Sequence, residues 1–386
     1  MNLVFLSPNF PPNYHLFCVR LKDMGVNVLG IADAPYEELN DELKSSLTEY
    51  YKVDNMEDYD QVLKAVGFFT HKYGKIDRVE SHNEHWLETE AKLRSDFNMF
   101  GINSAAVDHI KLKSLMKKKF KGAGLPVAQG KIFKDIKDAE SFIKKVYYPV
   151  IAKPDKGVGA SNTYKIHNRQ ELEDFFAKKT PVDYIMEEFI DGNIFTFDGL
   201  TDRDGNIVFY TSHTYGQGVM ESVHEDNDMY YYSFREIPAD LEDAGFRIVK
   251  AFNVKEKFFH FEFFRKKGDN SIVPLEVNIR PPGGLTTDMF NFACDIDVYK
   301  AWAEIIAFGK LSFDYSRKFH CCYIGRKYSK NYKHTHDEVI DKYKDLIVLH
   351  KEMPPLFHIM GNYAYLVRSE DFNVIKEAID FILMKS

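Results

Sequence analysis

Two runs of sequence, FHFEFF at residues 259–264 and LEVNIR at residues 275–280, decide the fold because together they predict one β-hairpin. Successive side chains of a β-strand point to opposite faces of the sheet. Glu276, Asn278 and Arg280 are spaced by two, so we expect all three side chains on one face. The apolar residues between them then point to the other face. The second strand therefore predicts a sheet with one polar and one apolar side.

The first strand of the hairpin adds a second carboxylate to the polar face. Pairing around the turn KGDN at residues 267–270 can bring Glu262 beside Glu276. Two carboxylates and an amide are costly to desolvate in a dry core, whereas hard oxygen ligands with open positions suit Mg²⁺ that also holds phosphates. The alternative is a solvated outer face of an antiparallel sheet, and the hairpin by itself does not decide between the two.

Length and composition describe a folded chain of more than one domain. At 386 residues the chain exceeds one compact core of ordinary size, so we expect two or three domains. Hydrophobic residues make up 45% of the sequence, which is not a disordered composition. The net charge of −7 has the wrong sign for a protein whose main partner is nucleic acid or anionic lipid. We therefore expect neither as a partner.

Cysteine usage and the first residues favour a cytoplasmic protein. Four cysteines in so long a chain do not make a disulfide framework, and none form a CxxC pair with zinc-ligand spacing. The start MNLVFL lacks basic residues, and its apolar run is too short for a signal peptide. No longer run is apolar enough to span a bilayer.

The first hundred residues alternate between short apolar runs and amphipathic stretches of helical length. Predicted strands lie at 3–6, 26–31 and 76–80, with predicted helices at 15–24, 59–73 and 84–97. This alternation predicts a small parallel sheet with helices on its faces. The turn after the first strand reads SPNFPP instead of GxGxxG, and prolines remove N–H donors that would hold a pyrophosphate, so an NAD site is not expected. The absence of GxxxxGK[ST] also disfavours a P-loop nucleotidase.

From residue 105 onward the pattern changes to a helix followed by predicted hairpins. Predicted strands lie at 127–132, 150–153, 184–189, 195–200 and 207–211, with a predicted helix at 170–178. The run DRDGN at 202–206 predicts a hairpin turn, because Asp-Gly is a strong hairpin signal and no closing Glu follows at calcium-loop spacing. Residues 313–386 predict further strands and an amphipathic end helix at 372–383.

The hairpin and the order of the elements before it resemble the ATP-grasp superfamily, and more particularly its carboxylate-amine ligases. The resemblance covers the chain to about residue 312. It implies a mixed α/β and α+β fold, in which a small parallel α/β domain precedes a two-lobed ATP-grasp fold. The implied units are an N-terminal domain at 1–104, a small lid lobe at 105–190, a central lobe at 191–312, and strands and a helix at 313–386 that complete the central lobe.

The same resemblance implies a magnesium site on the polar face of the hairpin. In the family, an acid on one strand and Glu-x-Asn-x-Arg on the next bind Mg²⁺ or Mn²⁺ and the transferred phosphate. By that match Glu262, Glu276 and Asn278 are the metal ligands. Arg280 is the residue that stabilises charge on the transferring group.

Residues upstream of the hairpin are similar to the nucleotide-binding parts of the family. Lys113 and Lys153 match the lysines that reach the nucleotide, and Lys153 also enters the catalytic set. Gly157, Gly159 and Ser161 lie in a turn whose N–H groups can close over phosphate, although GxG taken alone is more often a surface hairpin. The neighbouring Lys117, Lys118, Lys119 and Lys121 are expected on a solvated helix face.

The run YIMEEFIDG at 184–192 looks like the family's adenine-binding hinge. Its polar and apolar residues would meet the edge and faces of the purine: Glu187, Glu188, Phe189 and Ile190. Ile194 stands where the family often has an acid for the ribose hydroxyls. Asp198 is the substitute that we expect there.

The resemblance implies an ATP-dependent ligase that joins a carboxylate to an amine through an acyl phosphate, releasing ADP and phosphate. Alternatives are a phosphotransferase acting on a hydroxyl and a non-catalytic nucleotide-binding sensor. The intact metal ligands disfavour a sensor, while Ile194 favours it. The partners expected are small-molecule carboxylates and amines and, by resemblance, a second copy in a homodimer. His82 and Glu84 follow a predicted strand end, where ligands gather in α/β sheets, and are candidate substrate contacts.

Overall fold

The computed structural model describes residues 1–157, 162–216 and 227–386. Its first unit is a parallel four-stranded sheet with the strand order β3-β2-β1-β4. The strands are β1 Asn2–Leu6, β2 Asn27–Ala32, β3 Glu49–Lys52 and β4 Arg78–Glu80, and the helices are α1 His15–Asp23, α2 Asp41–Ser46, α3 Tyr59–Tyr73 and α4 Leu87–Asp96. Helices cover both faces because the apolar strands are buried on both sides. The predicted parallel α/β unit is confirmed.

A second, antiparallel sheet of four strands follows, in the order β5-β8-β6-β7. Its elements are β5 Gly130–Ile132, α7 Ile136–Val146, β6 Val150–Pro154, β7 Tyr164–Ile166, α8 Arg169–Lys178 and β8 Tyr184–Glu188; α5 Ser104–Lys111 and α6 Lys113–Gly122 precede them. Apolar residues of α5 and α6, such as Ile110 and Phe120, pack into the core under the large sheet described next. The four strands of this sheet lie within residues 130–188.

The described residues of the third unit form one nine-stranded sheet, ordered β14-β13-β9-β11-β12-β15-β17-β16 with β10 paired to β9. Its strands are β9 Gly192–Thr201, β10 Ile207–Thr211, β11 His213–Tyr215, β12 Tyr230–Ser233, β13 Phe258–Lys266, β14 Ile272–Asn278, β15 His320–Arg326, β16 Ile347–Glu352 and β17 Tyr363–Ser369. Its helices are α9 Ala239–Phe252, α10 Thr286–Cys294, α11 Val298–Phe308, α12 His336–Tyr343 and α13 Phe372–Leu383. The strands after residue 313 thus extend the sheet that carries the hairpin.

The central strands of this sheet alternate as the sequence predicts. Phe197 of β9 and Phe259, Phe261 and Phe263 of β13 point to one side and are fully buried against α9. The turn between β9 and β10 is the predicted hairpin turn, since Asp202 Oδ1 accepts hydrogen bonds from the N–H groups of Asp204 and Asn206 at 2.9 and 2.8 Å. No helix in the described part of the chain is long and apolar enough to cross a membrane.

Candidate nucleotide and metal site

The two acids of the hairpin lie directly opposite each other. Glu262 of β13 pairs with Glu276 of β14 in the antiparallel register, and His260 pairs with Asn278 two residues along. The side chains of Glu262 and Glu276 are 20% and 18% exposed, so both reach the open side of the sheet. The predicted juxtaposition of the two carboxylates is present.

The donor set of this face fits a divalent cation. Burial raises the pKa of Glu276 and the facing Glu262 raises it further, while Lys113 opposes the shift. A bound cation would relieve the repulsion between the two acids. Carboxylate and amide oxygens are ligands that Mg²⁺ prefers. The described residues contain no group of three or more His, Cys, Asp or Glu that could hold a metal ion.

We call the side of the hairpin with the predicted metal ligands Glu262, Glu276 and Asn278 the metal face, and residues 155–157 the phosphate-side turn. Lys113 lies between the two. Its Nζ is 3.2 Å from Glu276 Oε1 and donates a hydrogen bond to the carbonyl of Gly157 at 2.9 Å. Asp155 fastens this turn to the start of α6, where its Oδ1 accepts from the N–H of Ser114 at 2.7 Å and its Oδ2 from the hydroxyl at 2.8 Å. The structure thus brings Lys113 and Gly157 to the hairpin. Gly159 and Ser161 lie outside the described residues.

Lys153 and Glu187 form a buried ion pair on neighbouring strands β6 and β8. Lys153 Nζ is 2.9 Å from Glu187 Oε2, and Lys117 Nζ is 2.7 Å from Glu187 Oε1. Burial works against the charge of Lys153, but Glu187 and Glu276 outweigh it and raise the pKa of the lysine. Burial would raise the pKa of Glu187, but the two lysines lower it to about 2.

The burial of Lys117 corrects the prediction of a solvated helix face. Lys118 and Lys121 are exposed as expected, whereas Lys117 points inward, donates to the carbonyl of Ala128 at 3.0 Å and contacts Glu187. Burial lowers its pKa. Within a run of lysines only the helical phase separates Lys117 from its neighbours. That phase could have been read from its spacing of four from Lys113, which puts both on one helix face.

The hinge residues lie at the end of β8 and directly after it. Glu188 ends the strand, and its Oε1 accepts a hydrogen bond from the N–H of Gln129 at 2.7 Å. Phe189 and Ile190 are half-buried, and the ammonium group of Lys165 lies 3.9 Å from the Phe189 ring centre. Glu187 is thus the buried carboxylate of this segment, while Glu188, Phe189 and Ile190 are half-buried.

Arg280 faces an acid from the N-terminal unit. Its Nε lies 3.6 Å from Glu84 Oε2, and Lys111 Nζ lies 3.4 Å from Glu84 Oε1. Glu84 sits on a short 3₁₀ turn after β4, so the carboxyl end of the parallel sheet meets the end of β14 here. Arg280 also lowers the pKa of Glu262, which burial would raise and the facing His260 lowers most.

His82 does not reach the site. Its ring is fully buried and packs edge-on against Phe5 and Trp302, with Phe17 4.2 Å away between ring centres. Burial holds its pKa well below the usual value. A predicted substrate contact by His82 is therefore wrong, because the packing of α1 and α11 over the strand ends encloses the ring.

Asp198 occupies a different environment from the one predicted. It is fully buried on β9, with Oδ1 2.6 Å from Nδ1 of His260 and Oδ2 2.9 Å from Nδ1 of His213. Both carboxylate oxygens of Asp198 therefore already contact histidines on the same side of the sheet as Glu262. This placement does not favour a ribose contact, and Ile194 lies four residues earlier on the same strand.

Part of the chain matches a known domain family. Residues 146–288 match the model of the ATP-grasp domain. The chain is 26% identical over 264 residues to the L-arginine-specific L-amino acid ligase of Bacillus subtilis, a match that covers 66% of this chain and 63% of that protein. The chain spans less than two thirds of the length of the curated relatives it matches.

Solved structures extend the likeness over nearly the whole chain. The L-amino acid ligase from Bacillus licheniformis superposes with a TM-score of 0.76 at 16% identity, covering 98% of this chain and 95% of the other. The biotin carboxylase domain of the Hydrogenobacter thermophilus 2-oxoglutarate carboxylase, solved with MgADP and bicarbonate, superposes with a TM-score of 0.71 at 15% identity, covering 97% and 88%. Residues 146–288 are therefore similar to an ATP-grasp domain, and the chain as a whole has the fold of these solved structures.

Proposed function

We propose that this protein is an ATP-dependent ligase that joins a carboxylate to an amine. A carboxylate at neutral pH resists attack because it is already anionic. Transfer of the γ-phosphoryl group to a carboxylate oxygen gives an acyl phosphate and ADP. The amine nitrogen then attacks the acyl carbon, the C–O bond to phosphate breaks, and the nitrogen loses a proton to leave an amide and inorganic phosphate.

One observation supports this proposal above the others. The acids Glu262 and Glu276 lie opposite each other, and Lys113 Nζ is 3.2 Å from Glu276 Oε1. Asp155 holds the phosphate-side turn beside this lysine through its hydrogen bond with the N–H of Ser114. Lys153 of β6 lies close enough to Glu276 and Glu262 that these acids, together with Glu187, raise the pKa of the lysine. Cations for a triphosphate and anions for its metal thus lie close together.

The residues present could hold Mg²⁺ and ATP without a covalent nucleophile. Glu262, Glu276 and Asn278 would hold the metal, which would neutralise phosphate charge when bound. Lys113 and Lys153 would hold phosphates. The segment Glu187 to Ile190 would receive the adenine, with Lys117 keeping the Glu187 carboxylate in place.

Arg280 would stabilise charge on the transferring group and on the acyl phosphate. Its guanidinium lies beside Glu84, which supplies an anionic group next to the reacting centre. Positioning and fixed charge can carry most of such a barrier, since effective molarities of well-aligned groups reach on the order of 10⁵ M.

The test is nucleotide-dependent product formation over a panel of amino acids, other carboxylates and amines. We expect ADP release that needs both a carboxylate and an amine, with an amide found by mass spectrometry. A phosphate ester in place of an amide would favour the phosphotransferase. Nucleotide binding without turnover across the panel would favour the sensor.

The role of the metal face is tested by Glu276→Gln, which removes one charge and keeps the size of the side chain. We expect turnover to fall at least about 100-fold, because a metal ligand and transition-state charge stabilisation are lost together. Glu173→Gln on the exposed face of α8 is the matched control and is expected to retain turnover. Full turnover of the Glu276 variant at saturating Mg²⁺ would contradict the assignment of Glu276 as a metal ligand.

A further inference from the structure

A buried cluster of polar side chains lies next to the metal face, on the same side of the sheet. We call Asp198, Thr196, His213 and His260 the Asp198 cluster. All four are buried, and they come from three adjacent strands, β9, β11 and β13. Thr196 donates to Asp198 Oδ2 at 2.5 Å, and the parallel rings of His213 and His260 lie 5.9 Å apart with the aspartate between them. The proposed mechanism does not use these residues.

His260 connects this cluster to the hairpin acids. Its Nδ1 lies 2.6 Å from Asp198 Oδ1, and its Nε2 lies 3.3 Å from Glu262 Oε1. An ionised carboxylate can only accept hydrogen bonds, so each ring nitrogen that faces one acts as a donor. Because Asp198 is fully enclosed and fixed by three side chains, it fixes the plane of the imidazole, and the imidazole in turn fixes the direction of the Glu262 carboxylate.

A purely structural reading of the cluster is that buried polar groups satisfy one another. Two features of its geometry go beyond that reading. The cluster lies on the polar face of the sheet, whose register pairs Glu262 with Thr196 and His260 with Asp198. In addition, the second ring nitrogen of His260, Nε2, contacts Glu262 of the metal face instead of a backbone group. A run of polar contacts therefore leads from Asp198 to an oxygen of Glu262, and its last link is the 3.3 Å contact from His260 Nε2.

We propose that Asp198 is a positioning residue that acts through His260 to hold Glu262 in the orientation in which it takes up the divalent metal of the bound nucleotide. This inference rests on the proposed function, because it requires that Glu262 is a metal ligand. Partners of this kind orient metal ligands, and their loss typically weakens metal affinity by about 10- to 100-fold.

The measurement is Mn²⁺ affinity by electron paramagnetic resonance at saturating non-hydrolysable ATP analogue, which does not depend on turnover. For Asp198→Asn we expect about a 10- to 100-fold weaker affinity for Mn²⁺. In steady state, the apparent KM for Mg²⁺ should rise by a similar factor, while kcat at saturating Mg²⁺ changes much less. Thr211→Val is the matched control and should leave Mn²⁺ affinity unchanged, since this buried threonine pairs with Asp198 in the β9–β10 register and its hydroxyl has no hydrogen-bond partner among the described residues.

Two variants of His260 keep the inference falsifiable should Asp198→Asn fail to fold. The amide nitrogen of Asn takes the place of Nδ1 and that of Gln takes the place of Nε2. His260→Asn keeps the contact to Asp198 and loses the donor to Glu262, so we expect the same weakening. His260→Gln keeps the donor to Glu262 and should recover part of the Mn²⁺ affinity.

The outcomes separate this inference from the proposed function. If the wild-type protein binds no Mn²⁺ with the nucleotide analogue, both fail. If the wild-type protein binds it and the folded Asp198→Asn and His260→Asn variants bind it equally well, the inference alone is overturned.

Discussion

At the scale of single residues, environment gives the same side-chain type opposite properties. Glu187 and Glu276 are both glutamates beside lysines, yet the pKa of Glu187 falls to about 2 and that of Glu276 is raised. Burial disfavours the charge of both. Two lysine contacts outweigh it at Glu187, whereas a facing carboxylate adds to it at Glu276. Glu276 is thus the acid that a divalent cation would help most.

The depressed pKa of Glu187 predicts a pH-dependent stability. Because its folded pKa of about 2 lies below its ordinary value of 4.5, its contribution is present above pH 4.5 and is lost as the pH falls towards 2. Glu187→Gln is therefore expected to lower the free energy of unfolding at pH 7 by on the order of 3 kcal/mol. Urea titrations from pH 7 to pH 3 should show the difference from wild type shrinking. A difference that is equal at both ends, or as large for the exposed control Glu173→Gln, would contradict the ion-pair assignment.

At the scale of elements, close packing between α9 and β9 positions the strand that carries the Asp198 cluster. Gly245 lies on the buried face of α9, where a Cβ would lie 2.2 Å from Cδ1 of Phe197. Phe197 cannot move freely because it is stacked on Phe259 at 5.6 Å between ring centres. The helix therefore approaches the sheet more closely than any residue with a side chain would allow.

A pair of glycine substitutions tests this contact. Gly245→Ala is expected to lower the free energy of unfolding by about 1–3 kcal/mol through overpacking. Gly67→Ala in the middle of α3 is the control, because a Cβ there meets nothing within 4 Å. It should raise stability by about 0.5–1 kcal/mol through helix propensity. Thermal melts of the two variants should move in opposite directions, and a stabilised Gly245→Ala would show that the close approach is unnecessary.

At the scale of the whole molecule, a buried ion network joins the parallel sheet to the nine-stranded sheet. Lys257, just before β13, lies 3.2 Å from Glu90 Oε2 of α4 and also contacts Glu80 at the end of β4. Arg94 completes the charge balance at 2.8 Å from Glu90 Oε2. The position of the N-terminal unit over the hairpin, and with it the approach of Glu84 to Arg280, depends on this network.

Removal of the Lys257 ammonium group should weaken the contact between the parallel sheet and the nine-stranded sheet. Lys257→Met leaves two buried carboxylates with one cation, and breaking a buried pair in this way costs about 3–5 kcal/mol. The matched control is Lys250→Met on the exposed end of α9, expected within about 0.5 kcal/mol of wild type. Denaturant unfolding gives both values. Equal stability of the two variants would mean that Lys257 is not needed to hold the two units together.

The sequence by itself determined the hairpin and most of the elements. Alternation of side chains is a local property, so a polar face with Glu276 and Asn278 could be predicted from spacing by two, and the pairing of Glu262 from the length of the turn. The parallel unit followed from its β-α alternation. The one helix predicted at 84–97 begins in the structure with a 3₁₀ turn at Glu84–Trp86 and becomes α-helical at Leu87.

Tertiary structure decided which of the candidate side chains are buried and which they face. In the sequence Lys117 is one of several lysines in a basic run, and only the fold places Glu187 of β8 beside it. In the same way, His82 is a polar residue at a strand end in the sequence, and only the fold covers it with two helices. Asp198 and His260 are 62 residues apart in sequence, and only the pairing of β9 with β13 makes them neighbours. Such contacts depend on strand order and on how the units pack, and no local pattern encodes either of these.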